Sequence, residues 1–378
     1  MPGVHQSRPL SAIGWGSQRL RGGQTGLTVG ASRRQFLFAT TATATLGCRP
    51  GPKAPADRAE AIGLLFARLH EQRLFDGEAL VAEGGVVVYS GGFGLADREA
   101  KLPYTASTPS CLASLSKPIT AVALMMLAEK NLVTYETRLS QLLPGFSPTV
   151  GAVTVRQLLA HTSGVPDYPD LGVDRPGVTN AEIVAALRQV ADPVFPPGLK
   201  YQYSNSGYVL LGQMIERLSG ATLPRFLADR IFKPLGMSST FVLTSPADKK
   251  AGVARGYDRN AGVNDFEGMA TGESGVYSTV HDLLRFDQAL YGSSLVRQET
   301  LAVAFTPAPV REGSTTYGFG WNIVKDGTGL KVWHQGNTAG FRAFIERRLS
   351  RRVTVIMLTN GGDTDRMKIN NDIQRILG

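Results

Sequence analysis

Cysteine and histidine are scarce in this chain. Two cysteines, Cys48 and Cys111, and five histidines are spread over 378 residues. There is no His-x-x-x-His or Cys-x-x-Cys spacing, so neither a zinc-ligand pattern nor a disulfide framework is written into the sequence. A Gly-x-Ser-x-Gly elbow, a Walker phosphate loop and repeats of 20 to 50 residues are also missing, which argues against an α/β-hydrolase, a P-loop enzyme and a solenoid. The first 48 residues contain no acid but five arginines, Arg8, Arg19, Arg21, Arg33 and Arg34. Setting these aside from the net charge of +9 leaves 35 basic against 31 acidic groups, a net +4. The body has no Lys/Arg-rich run interleaved with aromatics, so nucleic acid is not an expected partner.

The acid-free amino terminus has an order of its own. Ser32-Arg33-Arg34-Gln35-Phe36-Leu37 has the twin-arginine form, and Phe36 to Gly47 is a Thr/Ala-rich apolar stretch too short to span a bilayer. Residues 1–48 are therefore expected to be an export leader, placing the mature protein in the periplasm or another extracytoplasmic compartment with no transmembrane helix. Thr45-Leu46-Gly47-Cys48 resembles a lipoprotein cleavage box, and a lipid anchor at Cys48 and simple cleavage nearby both stay open. Either way Cys111 has no disulfide partner and reads as a small buried thiol. Residues 49–58, rich in proline, are expected to be a linker.

From residue 59 onward the chain is an ordinary globular sequence. Apolar residues at helical spacing (Ile62, Leu65, Phe66, Leu69) open it, and Ala79 to Tyr89, broken at Gly84-Gly85, predicts a β-hairpin. Signals from Ser114 to about residue 300 are mostly helical: Val155–Ala160, Ala181–Val190, Tyr208–Ser219, Pro224–Phe232 and Thr279–Tyr291. Strands return at Gly320–Val324, Leu330–Gln335, Arg342–Leu349 and Val353–Thr359, before a closing helix Lys368–Leu377. This order predicts one α/β (α+β) domain over 59–378. Its sheet part comes from 59–113 and 310–378, and its helical part is inserted at 114–309. The cluster Arg347, Arg348, Arg351 and Arg352 reads as a solvated hairpin tip.

The apolar run Ile119 to Ala128 predicts a core helix, and Ser114 and Lys117 stand three apart at its amino-terminal end, on one face. A hydroxyl beside an amine is a candidate nucleophile with a proton carrier, and the helix start adds backbone N–H groups that favour an oxyanion. The pair alone is weak, because about 0.7 Ser-x-x-Lys spacings are expected by chance. Tyr203 and Asn205 fall in a Ser/Asn-rich turn before a helix, where a phenol can carry a proton and an amide can orient a carbonyl. His334, Gly336 and Asn337 fall on a predicted strand, with Gly336 offering close backbone approach. His161 and His281 read as turn-forming or capping residues.

Taken together, Ser114-x-x-Lys117, Tyr203-x-Asn205 and His334-x-Gly336 in this order resemble the serine β-lactamase and penicillin-binding superfamily. The likeness is to its class C β-lactamase-like branch, which includes D-alanyl-D-alanine carboxypeptidases, D-amino-acid peptidases and family VIII esterases. It runs from about Ile62 to Ile376 and extends to Leu158-Leu159-Ala160-His161-Thr162-Ser163-Gly164, Pro234-Leu235-Gly236-Met237 and Tyr317-Gly318-Phe319-Gly320-Trp321. The resemblance implies a β-lactamase/transpeptidase-like fold, an antiparallel sheet flanked by helices. It also implies Ser114 as nucleophile, Lys117 and Tyr203 as proton carriers, and Asn205, His334, Gly336 and Asn337 as substrate-binding residues. The oxyanion hole would come from the backbone N–H groups of Ser114 and Asn337, and no cofactor is implied. Many relatives carry Lys-Thr-Gly at the third motif, where this chain has His334-Gln335-Gly336. A neutral histidine weakens carboxylate recognition, which favours small esters or amides and leaves as alternatives a D-alanyl-D-alanine carboxypeptidase or β-lactamase, acting on peptidoglycan-like or β-lactam substrates, and a non-turnover penicillin-binding sensor.

Overall fold

The alternation in residues 77–93 folds as an antiparallel hairpin, β1 (Gly77–Glu83) and β2 (Val86–Phe93). The structure is a computed structural model that describes residues 55–258, 262–265, 269–361 and 364–378. The expected leader and Cys48 lie outside the described residues. Short strands follow the hairpin: β3 (Leu95–Asp97), β4 (Leu102–Pro103), β5 (Ser110–Cys111), β6 (Phe241–Val242) and β7 (Val276–Ser278). The carboxy-terminal part contributes β8 (Asn322–Asp326), β9 (Gly329–Thr338), β10 (Phe341–Arg348) and β11 (Val353–Thr359). Six strands form the main sheet in the order β2-β1-β11-β10-β9-β8, each neighbouring pair antiparallel. Strands from both ends of the chain thus share one sheet, in the mixed α/β class that the order of elements predicts.

β11 is buried along its whole length, and its two-residue period divides it between two cores. Val353, Val355 and Met357 pack with Ile62 and Phe66 of helix Pro55–Glu71 and Ile369 and Ile373 of helix Arg366–Leu377. Ile356 and Leu358 face the larger core, which holds Ile119 to Leu127 of helix Lys117–Glu129 and Val209 to Ile215 of helix Asn205–Ser219. Helices Val155–Leu159, Asn180–Leu187 and Val280–Ala289 start where threonines accept a backbone N–H: Thr154 from Gln157, Thr179 from Glu182 and Thr279 from Asp282.

Three expectations change. The first helix opens at Pro55, so residues 55–58 are helical rather than linker; proline is tolerated in a first turn, and Asp57 complements its positive end. β5, β6 and β7 form a separate sheet in the order β5-β7-β6, from segments too short to carry a readable period. Arg347 is fully buried, not at a solvated tip. On β10 it shares parity with Ala343 and Ile345, which lie in the larger core, so the pleat carries it inward to Asp287; Arg351 and Arg352, in the turn, are exposed. Among the described residues no helix is long and apolar enough to cross a membrane.

Candidate active site

β5 delivers the chain to a 3₁₀ turn, Ala113–Ser116, that runs directly into helix Lys117–Glu129. Ala113 has a positive φ of 47°, a sparsely populated conformation for a residue with a Cβ. The sharp turn there leaves Ser114 partly exposed on the wall of a cavity of about 430 Å³, between two fully or nearly buried neighbours, Ala113 and Leu115. Thr120 Oγ1 ties the first turns of the helix to Gly272 O at 2.7 Å.

Lys117 is fully buried, and its Nζ is the hub of the site. It donates to Ser114 Oγ at 2.8 Å, Asn205 Oδ1 at 2.8 Å and Glu273 O at 3.1 Å, and lies 3.3 Å from Glu273 Oε2. It also sits 4.8 Å from the centre of the Tyr203 ring. Burial pulls the ammonium pKa down, but the Tyr203 phenol and the Glu273 carboxylate outweigh it, and the net shift is upward. The resting amine is therefore a charged donor to Ser114.

Asn205 is the first residue of its helix rather than a loop residue, because Ser204 caps that helix by accepting from Gly207 N. Its amide is held from both sides: Oδ1 accepts from Lys117, and Nδ2 donates to Asp167 Oδ2 at 2.9 Å. Asp167 Oδ1 also accepts from Ser206 N at 2.9 Å. Tyr203, just before the cap, is half-buried and packs on His161, ring centres 4.3 Å apart.

His161 is structural, as its turn setting predicts. It has a φ of 56°, is buried, and accepts from Ser204 N at Nδ1. Burial first, then the Lys117 charge, hold its pKa well below the usual histidine range. His281 lies elsewhere, bonded to Ser90 Oγ at 3.1 Å. Cys111 is a buried thiol on the cavity wall, and burial pushes its pKa up to about 11.

The third motif divides. His334 is buried behind the cavity, not on its wall: Nε2 accepts from Tyr317 Oη at 2.9 Å and Nδ1 donates to Gln335 O at 2.8 Å. Burial, then the Lys117 charge, pull its pKa down to about 3, so it is a neutral strut and not a cation for substrate. Gly336 also serves packing: a Cβ there would stand 2.0 Å from Leu112 O, so the missing side chain lets β9 approach the segment that carries Ser114. Asn337 lines the cavity. Arg366 fixes this end of β9, donating to Gly336 O at 2.7 Å and Asn337 Oδ1 at 2.6 Å. Arg342 donates to the turn carbonyls of Ala339 and Phe341.

Two site residues went unread in the sequence. Glu273 is 6% exposed, pairs with Lys117 and accepts from Ser274 Oγ at 2.6 Å. Its signal is an acid set between Gly272 and Gly275; Gly272 has a φ of 96°, and a Cβ there would meet Tyr208 O at 2.4 Å. Asp167 had the weaker signal of a turn acid before Tyr168-Pro169. Among the described residues the cavity wall carries two carboxylates, Glu273 and Asp174, and no lysine or arginine. No group of His, Cys, Asp and Glu among them could hold a metal ion.

The chain matches the family model described as beta-lactamase over residues 63–377. It is 35% identical to a penicillin-binding protein of Bacillus subtilis strain 168 over 321 residues, 78% of this chain and 70% of that protein. Esterase EstB of Burkholderia gladioli is 30% identical over 347 residues, 77% of this chain and 87% of the esterase. A D-aminopeptidase of Cereibacter sphaeroides is 30% identical over 303 residues, 75% of this chain but 56% of that enzyme. Among solved structures, a penicillin-binding protein of Bacillus halodurans superposes with a TM-score of 0.74 at 25% identity, over 82% of this chain and 98% of that one. The protein is thus a member of the beta-lactamase family, a hydrolase lineage whose relatives include penicillin-binding proteins, D-aminopeptidases and esterases.

Proposed function

We propose that the protein is an exported serine hydrolase acting through an acyl-enzyme on small esters or amides. The observation that carries this reading is the 2.8 Å contact between Lys117 Nζ and Ser114 Oγ at the wall of the 430 Å³ cavity. Ser114 Oγ attacks the substrate carbonyl, and the alcohol or amine leaves as the acyl-enzyme forms; water then releases the acid. The Ser114 proton passes to the coupled Lys117–Tyr203 pair, which returns it to the leaving group, while the Lys117 Nζ contact holds Oγ in place. Asn205, with its amide fixed by Asp167, positions the substrate, and the N–H groups of Ser114 and Asn337 receive the oxyanion. Export through residues 1–48 and the anchor at Cys48 rest on the leader motif alone.

A second reading is favoured by the charge of the cavity. Asp174 on the wall, with Glu273 already paired to the Lys117 ammonium and His334 neutral behind it, suits a substrate bearing an amino group better than one bearing a carboxylate. Peptides with a free amino terminus fit this, as the D-aminopeptidase relative does by name. D-alanyl carboxypeptidase or β-lactamase activity, and a penicillin-binding sensor, fit it less well.

Intact mass after incubation with a fluorophosphonate, on wild type and Ser114→Ala, tests the mechanism together with p-nitrophenyl butyrate hydrolysis. One adduct and turnover in wild type, with neither in the variant, supports it; equal labelling and turnover in the variant overturns it. Faster turnover of an amino-terminal p-nitroanilide than of the butyrate ester selects the second reading, and robust cephalosporin turnover rejects both substrate preferences.

A further inference from the structure

Helix Val155–Leu159 ends in a turn where Ala160 caps it, His161 N donates to Leu158 O at 3.3 Å and Thr162 N to Gln157 O at 2.9 Å. His161 stands just after the cap with a φ of 56°, a left-handed conformation that this type of helix end usually fills with glycine. A residue that did no more than turn the chain would need no ring. The imidazole is 1% exposed, and its Nε2 has no hydrogen-bond partner among the described residues. The side chain is therefore held there at a cost both in backbone strain and in an unsatisfied buried nitrogen.

Against that cost stands its hold on the segment that carries Tyr203. His161 O accepts from Gln202 N at 2.8 Å and Nδ1 accepts from Ser204 N at 3.1 Å, so one residue takes the N–H groups of both neighbours of Tyr203. The imidazole also lies on the Tyr203 ring, centres 4.3 Å apart and planes inclined by 33°. Tyr208 and Tyr317 close round it, with ring centres 5.1 and 4.7 Å away, and Tyr208 Oη donates to Leu159 O at 2.8 Å. Ser204 is itself the cap of the helix that begins with Asn205, and Lys117 Nζ lies 4.8 Å from the Tyr203 ring centre. His161 is not on the cavity wall.

We infer that His161 is a positioning residue for the reaction at Ser114: its carbonyl and Nδ1 clamp Gln202 and Ser204 and so set where the Tyr203 phenol stands relative to Lys117. It touches neither substrate nor reacting atoms and acts through Tyr203. The inference rests on the serine hydrolase reading of the site.

Steady-state kinetics on a p-nitrophenyl ester test it, with His161→Gly and His161→Asn beside wild type and Ser114→Ala. Glycine suits a φ of 56° better than histidine does and removes the ring. Asparagine tolerates the same conformation, and its Oδ1, bonded to Cγ as Nδ1 is, can still accept from Ser204 N. The expected result is a kcat about tenfold or more below wild type in His161→Gly, with KM within about threefold, and recovery of most of that kcat in His161→Asn. Should His161→Gly not fold, His161→Phe, which keeps a ring but has no acceptor, takes its place with the same expectation. A wild-type kcat in the variant without an acceptor overturns the inference, because the residue then only turns the chain. So does an equal loss in both variants, which leaves no role for the Nδ1 bond, or a change in KM alone, which puts His161 on the substrate. Turnover that is absent from wild type or survives Ser114→Ala overturns the hydrolase reading and the clamp with it; turnover that needs Ser114 but not His161 overturns the clamp alone.

Discussion

Asp167 Oδ2 accepts from Asn205 Nδ2 at 2.9 Å, and this one bond decides which way the Asn205 amide faces the buried amine of Lys117. Flipped, the amide would present N–H groups to an ammonium. Asp167→Ala is therefore expected to lower kcat by about tenfold or more with a smaller change in KM, since it disturbs positioning rather than the reacting groups. Asp167→Asn should retain more activity, because its amide oxygen can still accept. Steady-state kinetics on a p-nitrophenyl ester check both; unchanged kcat in Asp167→Ala would remove Asp167 from the site.

Asp287 and Arg347 are each 0% exposed, and truncating one leaves the other charged and dry. Asp287→Ala is expected to cost about 3–5 kcal/mol in urea unfolding. Replacing both with apolar residues of similar volume, Asp287→Leu with Arg347→Met, should recover much of that loss. A cost below about 1 kcal/mol for Asp287→Ala would mean that water reaches the pair.

Glu78, on β1, is 0% exposed, and burial, reinforced by the Asp282 charge, holds its carboxyl well above the usual carboxylate range against a backbone contact at Val280 that lowers it. The folded form keeps a proton that the unfolded chain, with a pKa of about 4.3, gives up. The unfolded state then binds fewer protons, so this group's contribution to stability falls as pH rises above about 4.3. Glu78→Gln lacks that titration. Its stability relative to wild type should rise between pH 5 and pH 8, by at most about 1.4 kcal/mol per pH unit. Urea midpoints at the two pH values read it; a difference that does not change with pH would contradict a proton held on Glu78.

His334 has the opposite sign. Its folded pKa of about 3 lies below the unfolded value of about 6.5, so the unfolded chain binds the extra proton between them. Stability from this group is complete above about pH 6.5 and declines as pH falls toward 3. His161, also held below the usual histidine range by burial and the Lys117 charge, contributes with the same sign. His334→Gln should be less acid-labile relative to its own pH 7 stability than wild type, seen in the shift of Tm between pH 7 and pH 4.5. Equal shifts in both proteins would show that His334 is accessible to protons.

Much of the site was legible because its signals are local. Ser114 and Lys117 are three residues apart, Tyr203 and Asn205 two, and the periods of the flanking helix and strands show which segments surround them. The roles of His334 and Gly336 were less legible, since the same strand position can face a cavity or a packed interior. The family resemblance implied that both lie near Ser114; packing put Tyr317 and Leu112 against them. Arg347 was misjudged for a related reason: four arginines near a turn look solvated until the pleat carries one inward.

By itself the sequence determined the class of fold, the order of strands and helices and the two-ended sheet through periodicity, and the Ser114–Lys117 and Tyr203–Asn205 pairs through short spacing, while the resemblance to the superfamily joined the two pairs. Only the tertiary structure decided what closes around them. Glu273 reaches Lys117 across 156 residues, Asp167 reaches Asn205 across 38, and Asp287 reaches Arg347 across 60. Each pairs groups whose attraction exists only after a common core has removed water from between them, and no local pattern encodes that distance.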